Sequence, residues 1–392
     1  MIRKELSEEI ANIKQKGLYR SLKEIEPTEN GCGTWDRRKI LNFASNNYLG
    51  IANDLRLVEA AKTALDKYGV GTGASRLISG TSSYHTELEE RIAAFKNQEA
   101  ALVFPSGFMA NLGVVTAVAD TENDLVIADR LSHASLIDSC RASAASFKVF
   151  PHNDYRKLDT ILSKYADKRR KLIVTDGVFS MDGDLADLQE IGAVARRHNA
   201  WLLVDDAHGI GVLGKRGRGV SEFLDTEESV TIHTGNFSKA CGVAGGFVAG
   251  SHELKEVLIN KARSFIFTTG IPPVLCAAAL AGLNIIEEEN WRREWLYAVS
   301  ATVRTSLKEL GFDVPEGVTP IIPVIIGDEF KVMELSGFLM DEGFFVPGIR
   351  YPTVARGQAR LRLSIQATHS DDDIQRLIAA FKKTTQKIGV ES

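Results

Sequence analysis

Short apolar runs alternate with helix-like segments along most of this chain. Between about residue 45 and residue 285, apolar runs end in Gly, Pro or polar residues, which is typical of buried strands. The segments between them, such as 188–199 and 252–262, repeat apolar residues at helical spacing. The predicted strands are AALVF, DLVIAD (124–129), SFKVF (146–150), KLIVT (171–175), AWLLVD (200–205), VTIHT (230–234) and GGFVAG (245–250). This alternation predicts an α/β fold, with a mostly parallel sheet covered by helices on both faces.

Both ends of the chain depart from this alternation. Residues 1 to about 40 predict an amphipathic helix followed by a connection rich in Gly and Pro. After a helical stretch at 280–311, a few strands and helices follow, which indicates a smaller α+β unit. We therefore expect an N-terminal helical segment (1–45), a large domain (46–285) and a small C-terminal domain (286–392).

The composition is that of a globular enzyme, with 44% hydrophobic and 25% charged residues. The net charge of −4 favours neither nucleic acid nor an anionic membrane as a partner. There is no apolar run of membrane-spanning length and no apolar leader segment, so we expect a cytoplasmic protein that does not enter the membrane. The four cysteines are far apart and the histidines form no close pair, so we expect neither disulfides nor a metal site.

Polar stretches follow several of the predicted strands. The sequence DGVFSMDGD (176–184) comes directly after KLIVT, and Asp205 ends AWLLVD with His208 three residues later. In open α/β sheets, ligands bind beyond the carboxyl ends of the strands. A carboxylate at the end of a buried strand is costly unless it is paired or used. The alternative is structural: Asp206 would cap a helix beside a structural histidine, and DGVFSMDGD would be a solvated loop.

Lys239 follows the strand VTIHT in a loop of small residues, GNFSKACGVAGG. Desolvation lowers the pKa of a lysine enclosed by small and apolar residues, which makes Lys239 a candidate for forming a Schiff base. A buried lysine and a strand-end aspartate are the two groups that pyridoxal phosphate needs, since the aspartate keeps the ring nitrogen protonated. These two residues therefore predict that cofactor.

The phosphate of such a cofactor needs backbone N–H groups at the start of a helix. The segment FPSGFMANLG (104–113) supplies them, because Ser106, Gly107 and Phe108 lie between a strand and a helix. His133 also follows a strand and could stack on the cofactor ring, although a histidine at such a place is often structural.

Nine motifs in order along the chain resemble the α-oxoamine synthases, a family with the type I fold of pyridoxal-phosphate-dependent transferases. They are SNNYLG (45–50), GTGASRLISGTSSYHTELEERIA (71–93), SGFMAN (106–111), DRLSHASLIDS (129–139), DGVFSMDGD, VDDAHGIGVLGKRGRG (204–219), NFSKACGVAGG, FIFTTGIPP (265–273) and YPTVARGQARLRLSIQATHS (351–370). The resemblance covers nearly the whole chain. It implies a homodimer with shared active sites and substrates that are an amino acid and an acyl thioester.

The resemblance also implies roles for individual residues around the cofactor. Lys239 would bond to it covalently and transfer protons, Asp205 would contact the ring nitrogen, His208 the ring hydroxyl, and His133 the ring face. Ser180 would lie near the ring and the substrate. Ser106, Gly107 and Phe108 would hold the phosphate, and Thr268 and Thr269 would reach the phosphate in the partner subunit.

For the substrate, the resemblance assigns the amino-acid carboxylate to Arg362 and places Arg20 and Asn47 nearby. Guanidinium geometry suits bidentate binding of a carboxylate. One position departs from the family pattern: Asn236 stands where the family commonly has Thr, three residues before the lysine. An Asn amide can donate a hydrogen bond, so we expect Asn236 to contribute to the phosphate site with altered strength.

The motifs VDDAHG, FSMDGD and the 351–370 segment are most similar to members that condense L-alanine with a pimeloyl thioester, of coenzyme A or acyl carrier protein, in biotin biosynthesis. Other members remain alternatives, such as a glycine C-acetyltransferase or a serine palmitoyltransferase. An aminotransferase of the same fold is a further alternative. A non-catalytic subunit of the same fold is an alternative of another class, and Lys239 argues against it.

Overall fold

The computed structural model describes residues 2–16, 18–27 and 31–388. Its helices are α1 Ile2–Gln15, α2 Leu55–Tyr68, α3 Ser83–Phe95, α4 Gly107–Val118, α5 Ala134–Ala142, α6 Tyr155–Lys164, α7 Leu188–Arg197, α8 Val220–Phe223, α9 His252–Lys261, α10 Arg263–Ile266, α11 Pro273–Glu288, α12 Trp291–Glu309, α13 Glu329–Asp341 and α14 Asp371–Ile388. Its strands are β1 Glu26–Pro27, β2 Cys32–Trp35, β3 Arg38–Asn42, β4 Ala100–Phe104, β5 Asp124–Asp129, β6 Ser146–Phe150, β7 Arg170–Asp176, β8 Trp201–Asp205, β9 Ile232–Asn236, β10 Gly246–Gly250, β11 Ile321–Gly327, β12 Phe344–Phe345, β13 Gly348–Ile349 and β14 Ala359–Ser364.

A seven-stranded sheet forms the centre of the molecule, in the order β4-β10-β9-β8-β7-β5-β6. The pairs among β9, β8, β7, β5 and β6 are parallel, whereas β10 is antiparallel to both of its neighbours. The predicted mostly parallel α/β sheet is confirmed. Because the parallel strands run in one direction, the carboxyl ends of β5, β7, β8 and β9 meet at one edge of the sheet.

The apolar runs of the central strands are explained by burial on both faces. In β5, Leu125 and Ile127 belong to one apolar cluster, and Val126 and Ala128 belong to the other. Successive side chains of a strand point to opposite faces, so a strand covered by helices on both sides is apolar at every position. The helices leave the strand ends uncovered, and the polar segments follow there.

The N-terminal region contains strands that the sequence pattern did not predict. The helix predicted at the start is α1, and β1–β3 follow where a connection was expected. These strands form a four-stranded sheet with β12, in which Leu41 pairs with Phe344. Because β3 finds a partner some 300 positions later in the chain, the local sequence carried little signal for it.

The C-terminal region contains a three-stranded antiparallel sheet, β11-β14-β13, with α13 packed against it. The helical stretch predicted at 280–311 is divided into α11 and α12 at residues 289–290. The domain boundaries predicted after residues 45 and 285 stay a proposal. Within the described residues, no helix is long and apolar enough to cross a membrane.

Candidate active site

A cavity of about 580 Å³ lies at the carboxyl ends of the central strands. Five of the predicted site residues line it: His133, Ser180, His208, Lys239 and Arg362. The other lining residues are Asn46, Leu131, Ser132, Ala134, Met181, Pro352 and Thr353. The large sheet and the C-terminal sheet therefore contribute to one cavity, because Arg362 comes from β14.

Lys239 lies in the segment between β9 and β10, as its small neighbours suggested. Burial lowers the pKa of Lys239 to about 8, and the charge of Asp205 partly opposes that shift. Among the described residues, its Nζ has no hydrogen-bond partner, so the amine faces the cavity unpaired. The loop is closely packed: Gly242 has a φ of +73°, and a Cβ there would lie 2.7 Å from Cα of Ala52. Lys239 can therefore act as a nucleophile and a base near neutral pH.

Asp205 ends β8 and is 6% exposed. Its Oδ1 accepts the backbone N–H of Ala207 at 3.0 Å, and its Oδ2 accepts from Nδ2 of Asn111 at 2.6 Å. The neighbouring Asp206 points elsewhere, accepting from Nζ of Lys96 and from the N–H of Val220 at the start of α8. The structural alternative thus describes the side chain of Asp206, while Asp205 lies close enough to Lys239 and His133 for its charge to act on both.

Both predicted histidines are held in the neutral form. Burial lowers the pKa of His133, and the charges of Asp205 and Lys239 act on it in opposite directions. Burial, followed by the charges of Lys239 and Arg362, holds the pKa of His208 well below its usual range. Nδ1 of His208 lies 2.7 Å from the hydroxyl of Tyr48. Neutral imidazoles can stack on an aromatic ring or exchange a hydrogen bond with a ring hydroxyl.

The polar stretch DGVFSMDGD is held by side chains from other parts of the chain. Nε of Arg362 donates to the carbonyl of Ser180 at 2.5 Å, and Nη1 of Arg360 donates to Asp182 at 2.5 Å. Further along, the Thr319 hydroxyl donates to the carbonyl of Gly183 at 2.8 Å. The stretch is therefore a fixed wall of the cavity and not a freely solvated loop.

Arg362 is a buried guanidinium whose partners are all neutral. It donates to the carbonyl of Ser180, to Oγ of Ser364 at 2.8 Å and to Oδ1 of Asn46 at 3.3 Å. No acidic side chain is found among the described residues that line the cavity, whereas Lys239 lines it as well. A buried cation without a counter-charge is costly, so this cavity is suited to an anionic ligand such as a carboxylate.

The predicted phosphate site lies at the start of α4, where Ser106 is the N-cap and accepts from the N–H of Met109 at 3.2 Å. The N–H groups of Gly107 and Phe108 have no acceptor among the described residues, so they remain available to an anion. A Cβ on Gly107 would lie 3.2 Å from Cβ of Asn236. The Oδ1 atom of Asn236 is buried without a hydrogen-bond partner. The free backbone donors fit a phosphate group. Oδ1 of Asn236 is an acceptor, so Asn236 could bind a phosphate only through its NH₂ group.

Nine of the predicted residues do not line this cavity: Asp205, Ser106, Gly107, Phe108 and Asn236, described above, and Asn47, Arg20, Thr268 and Thr269. Oδ1 of Asn47 accepts the backbone N–H groups of Ile51 and Ala52, so its side chain stabilises a turn. Arg20 lines a neighbouring cavity of about 600 Å³ and donates to the hydroxyl of Thr353 at 3.3 Å. Thr268 and Thr269 lie outside both cavities of their own chain.

Sequence reasoning missed other polar residues at this site. Asn46 lines the cavity beside Arg362, Thr353 lines both cavities, and Asp176 accepts the backbone N–H of His133 at 2.7 Å. Asn111 contacts Asp205 from inside α4. A signal for Asn111 was present, since it is an amide in the mostly apolar segment FMANLGVV. Among the described residues, no group of three His, Cys, Asp or Glu side chains is placed to hold a metal ion.

Comparison with known proteins identifies the family. Residues 38–381 match the model of the family described as aminotransferase class I and II. The chain is 46% identical over 386 residues to the 8-amino-7-oxononanoate synthase of Symbiobacterium thermophilum, with 98% of each chain covered. It is 44% identical over 384 residues to the enzyme of the same name from Geobacter sulfurreducens, with 97% of this chain and 98% of the relative covered.

Solved structures are similar over nearly the same length. The serine palmitoyltransferase of Sphingomonas wittichii superposes with a TM-score of 0.93 at 33% identity, covering 99% of this chain and 98% of that chain. A structure of SPT with PLP internal aldimine has the same TM-score and identity, with 98% of each chain covered. The 8-amino-7-oxononanoate synthase of Francisella tularensis has a TM-score of 0.77 at 29% identity, covering 89% of this chain and 98% of that one.

These similarities extend over both the large sheet and the C-terminal sheet, so they include every element that contributes to the cavity. They confirm the predicted type I transferase fold and the predicted pyridoxal phosphate cofactor. The chain belongs to the aminotransferase class I and II family and, within it, to the α-oxoamine synthases.

Proposed function

We propose that this protein is an 8-amino-7-oxononanoate synthase, which condenses L-alanine with a pimeloyl thioester in biotin biosynthesis. The products are 8-amino-7-oxononanoate, carbon dioxide and the free thiol of the carrier. The observation that carries the proposal is the single cavity that joins Lys239 to the uncompensated guanidinium of Arg362, in a chain 46% identical to a relative with this name.

The residues present fit pyridoxal phosphate, which when bound supplies an electron sink for the charge that develops at the substrate α-carbon. Lys239 is the residue for covalent attachment, and Asp205 is the partner of the ring nitrogen. His208 and His133 supply neutral imidazoles to the ring hydroxyl and the ring face. The phosphate is assigned to Ser106, Gly107, Phe108 and Asn236 at the start of α4, and Ser180 lies at the cavity wall.

Arg362 and Lys239 act on different groups of the amino-acid substrate, the carboxylate and the α-proton. Arg362 holds the substrate carboxylate by charge-assisted hydrogen bonds and so orients the α-carbon. Nζ of Lys239, as a free amine, would take the α-proton of the substrate. A pKa of about 8 suits this step, because roughly a tenth of the amine is unprotonated at pH 7 while the ammonium remains a competent acid.

The acyl thioester is assigned to the neighbouring cavity. Thr353 lines both cavities, so a substrate could reach from one to the other at this residue. The second cavity combines apolar side chains, including Leu18, Met333 and Phe345, with the cations Arg20 and Lys23. Apolar walls suit the methylene chain of a pimeloyl group, and a cation suits its distal carboxylate. Asn47 contributes through the turn that holds Asn46 at the first cavity.

A homodimer with shared active sites is part of this proposal. Thr269 and Ser75 form an isolated antiparallel β-bridge. This bridge brings together two segments that carry exposed apolar side chains. Ile78 is 81% exposed and Phe267 is 70% exposed. Contiguous exposed apolar residues mark interaction surfaces. Pairing of two copies there would cover these side chains and bring Thr268 and Thr269 towards the partner's phosphate site.

We further propose a cytoplasmic location, with neither nucleic acid nor membrane as a partner. The four cysteines are unpaired, although three of them are buried. Unpaired cysteines are typical of a reducing compartment.

A serine palmitoyltransferase is the second candidate, favoured by the TM-score of 0.93 to such an enzyme. A glycine C-acetyltransferase is a third possibility with the same core chemistry. We rank both below the proposed activity because the serine palmitoyltransferase is 33% identical, against 46% for the synthase relative. Folds are retained longer than substrate choice, so sequence identity weighs more here.

The test is a thiol-release assay with a matrix of amino acids and acyl thioesters. We expect the fastest release with alanine and pimeloyl thioester, with a partial preference over glycine, since one methyl group discriminates by only about 1–3 kcal/mol. Fastest release with serine and a long-chain donor, or with glycine and an acetyl donor, would overturn the substrate assignment. No release with any pair, from protein that binds the cofactor, would favour the non-catalytic subunit.

A further inference from the structure

Asn111 is a buried amide in the middle of α4, and it is 1% exposed. Its Nδ2 donates to Oδ2 of Asp205 at 2.6 Å and to Oγ of Ser135 at 2.9 Å, and its Oδ1 accepts from the hydroxyl of Thr234 at 2.8 Å. All three partners come from other elements. Every hydrogen-bonding direction of this amide except one lone pair is therefore used, as a buried polar group requires.

The orientation of the amide follows from the chemistry of its partners. An ionised carboxylate only accepts hydrogen bonds, so the NH₂ group must face Asp205. The Thr234 hydroxyl donates to Oδ1 on the other side of the amide. This hydrogen bond would be lost if Oδ1 and Nδ2 exchanged places, so it also fixes the orientation. The donor to Asp205 is thus fixed before any ligand binds.

Asn111 also connects to His133 through Ser135. The backbone N–H of Ser135, which can only donate, lies 3.2 Å from Nδ1 of His133, and the Ser135 hydroxyl lies 2.8 Å from the same atom. Nδ1 is therefore an acceptor, and the neutral ring carries its proton on Nε2. Because Nδ2 of Asn111 donates to Oγ of Ser135, the Ser135 hydroxyl is free to donate its own proton to Nδ1 of His133.

Two carboxylates compete for one negative charge at this place. Asp176 and Asp205 are in register on the neighbouring parallel strands β7 and β8. Burial, followed by the charge of Asp205, holds the pKa of Asp176 well above its usual range. The single donor to Asp176 among the described residues is the backbone N–H of His133, whereas Asp205 has two donors, including the short one from Asn111. Two like charges so close do not both persist in the interior.

We propose that Asn111 is a positioning residue that fixes the negative charge on Asp205 instead of Asp176. The charge would thereby be held on the carboxylate that the proposed function assigns to the cofactor ring nitrogen. This inference rests on the proposed role of Asp205, and it assigns to Asn111 a task that Asp205 alone cannot perform.

The test uses two variants, Asn111→Leu and Asn111→Ser. Leucine is close in size and lacks the donor, while serine is too short to reach Asp205. Each apoprotein is titrated with pyridoxal phosphate to measure the dissociation constant, and the protonation of the ring nitrogen is measured by NMR with ¹⁵N-labelled cofactor. We expect the dissociation constant to rise 10- to 100-fold, as for loss of a hydrogen bond to a charged group. The fraction of protonated ring nitrogen should fall in both variants.

Thr234→Val is the matched control, because it removes a partner of Asn111 and keeps the donor to Asp205. It should keep the wild-type ring protonation, since the acceptor-only carboxylate still directs the NH₂ group. Thermal unfolding of each apoprotein shows whether a variant has folded. If Asn111→Leu folds poorly, Asn111→Ser provides the decisive measurement.

Asp205→Asn separates the inference from the proposed role of Asp205. If Asp205→Asn removes ring protonation while both Asn111 variants retain it, Asn111 does not fix the charge and the inference is overturned. If Asp205→Asn itself leaves ring protonation and cofactor affinity unchanged, the role of Asp205 fails. Loss of protonation in the Asp205 and Asn111 variants, but not in Thr234→Val, would support the inference.

Discussion

Lys239 and Lys96 are both enclosed by the protein, yet their surroundings differ. Lys96 is 1% exposed, and its Nζ lies 3.3 Å from Oδ2 of Asp206 and donates to the carbonyl of Arg218. Lys239 has no such partner among the described residues and faces a cavity, where burial lowers its pKa to about 8. Enclosure alone therefore does not make a lysine reactive. Free space beside the amine and the lack of a partner do.

The adjacent residues Asp205 and Asp206 interact with different lysines: Asp205 acts on Lys239 through its charge, and Asp206 contacts Lys96. Successive positions at a strand end point to opposite sides. Asp205 is directed towards Asn111 and the site, whereas Asp206 is directed towards Lys96 and the start of α8. One strand end thus supplies a carboxylate for the candidate site and, one residue later, a carboxylate for a buried ion pair.

The largest effect is expected from Lys239→Ala. Loss of the group proposed to transfer the α-proton should lower the rate of thiol release by on the order of 10²–10⁴-fold, because that is the typical contribution of a positioned base. The free energy of unfolding should change little, since no hydrogen bond of the amine is lost. Borohydride reduction followed by peptide mapping checks the position, and a reducible lysine adduct that persists in Lys239→Ala would identify another lysine.

Lys96→Met should mainly lower the free energy of unfolding, whereas Lys239→Ala should mainly lower the rate of thiol release. Removing one partner of a buried ion pair leaves Asp206 uncompensated, so we expect a loss of about 3–5 kcal/mol in the free energy of unfolding, measured with urea. Asp206→Asn in the same chain keeps an acceptor for the N–H of Val220 and removes the charge. The double variant should therefore recover much of the loss. Equal instability of the single and double variants would contradict a paired role for Lys96.

His152 extends the comparison to a third enclosed cation, and we expect a pH-dependent stability from it. Its Nδ1 lies 3.1 Å from Asp129 and its Nε2 lies 2.8 Å from Asp184. Burial alone would lower the pKa of His152, but the hydrogen bonds that its ring donates to these two carboxylates outweigh burial and raise the pKa to about 10. Because the folded pKa exceeds the unfolded value near 6.5, the contribution is complete below pH 6.5 and is lost as the pH rises to about 10.

The measurement compares urea unfolding of wild type and His152→Gln between pH 6 and pH 10. Wild type should be more stable by about 1.5–3 kcal/mol at pH 6, as for hydrogen bonds to charged groups. The two proteins should converge as the pH approaches 10. A constant difference across this range would show that the charge of His152 contributes nothing.

The smallest effect is expected at Asn236, three residues before Lys239. Asn236→Thr restores the hydroxyl that is common in the family next to Gly107. The dissociation constant for pyridoxal phosphate should stay equal or become tighter, by at most about tenfold, because a neutral hydrogen bond contributes about 0.5–1.5 kcal/mol. Weaker binding of the cofactor by this variant would mean that the Asn236 amide has its own contact with the phosphate.

The candidate site was predictable where residue type and local position suffice. Lys239 in its small-residue loop, Asp205 at a strand end and the Ser106–Phe108 turn each carry a local signal, and the resemblance of nine motifs assigned His133, His208 and Arg362. Asn111, Asn46 and Asp176 were missed. Their contacts reach across 43 to 316 positions of the chain. The apolar neighbours of Asn111 marked it as an unusual amide, but no local pattern identifies a partner at such a distance.

The sequence by itself determined the central sheet and the cofactor class and singled out Lys239 as the candidate for binding the cofactor, because buried strands and strand-end polar residues follow from local periodicity. Only the tertiary structure decided which charged side chains are paired and which are left without a partner. It pairs Lys96 with Asp206 and leaves Lys239 unpaired, and it joins β3 to β12 across the chain. The reason is physical: the pKa of a charged group depends on its partners and its burial, and both are set by packing between segments that are distant in sequence.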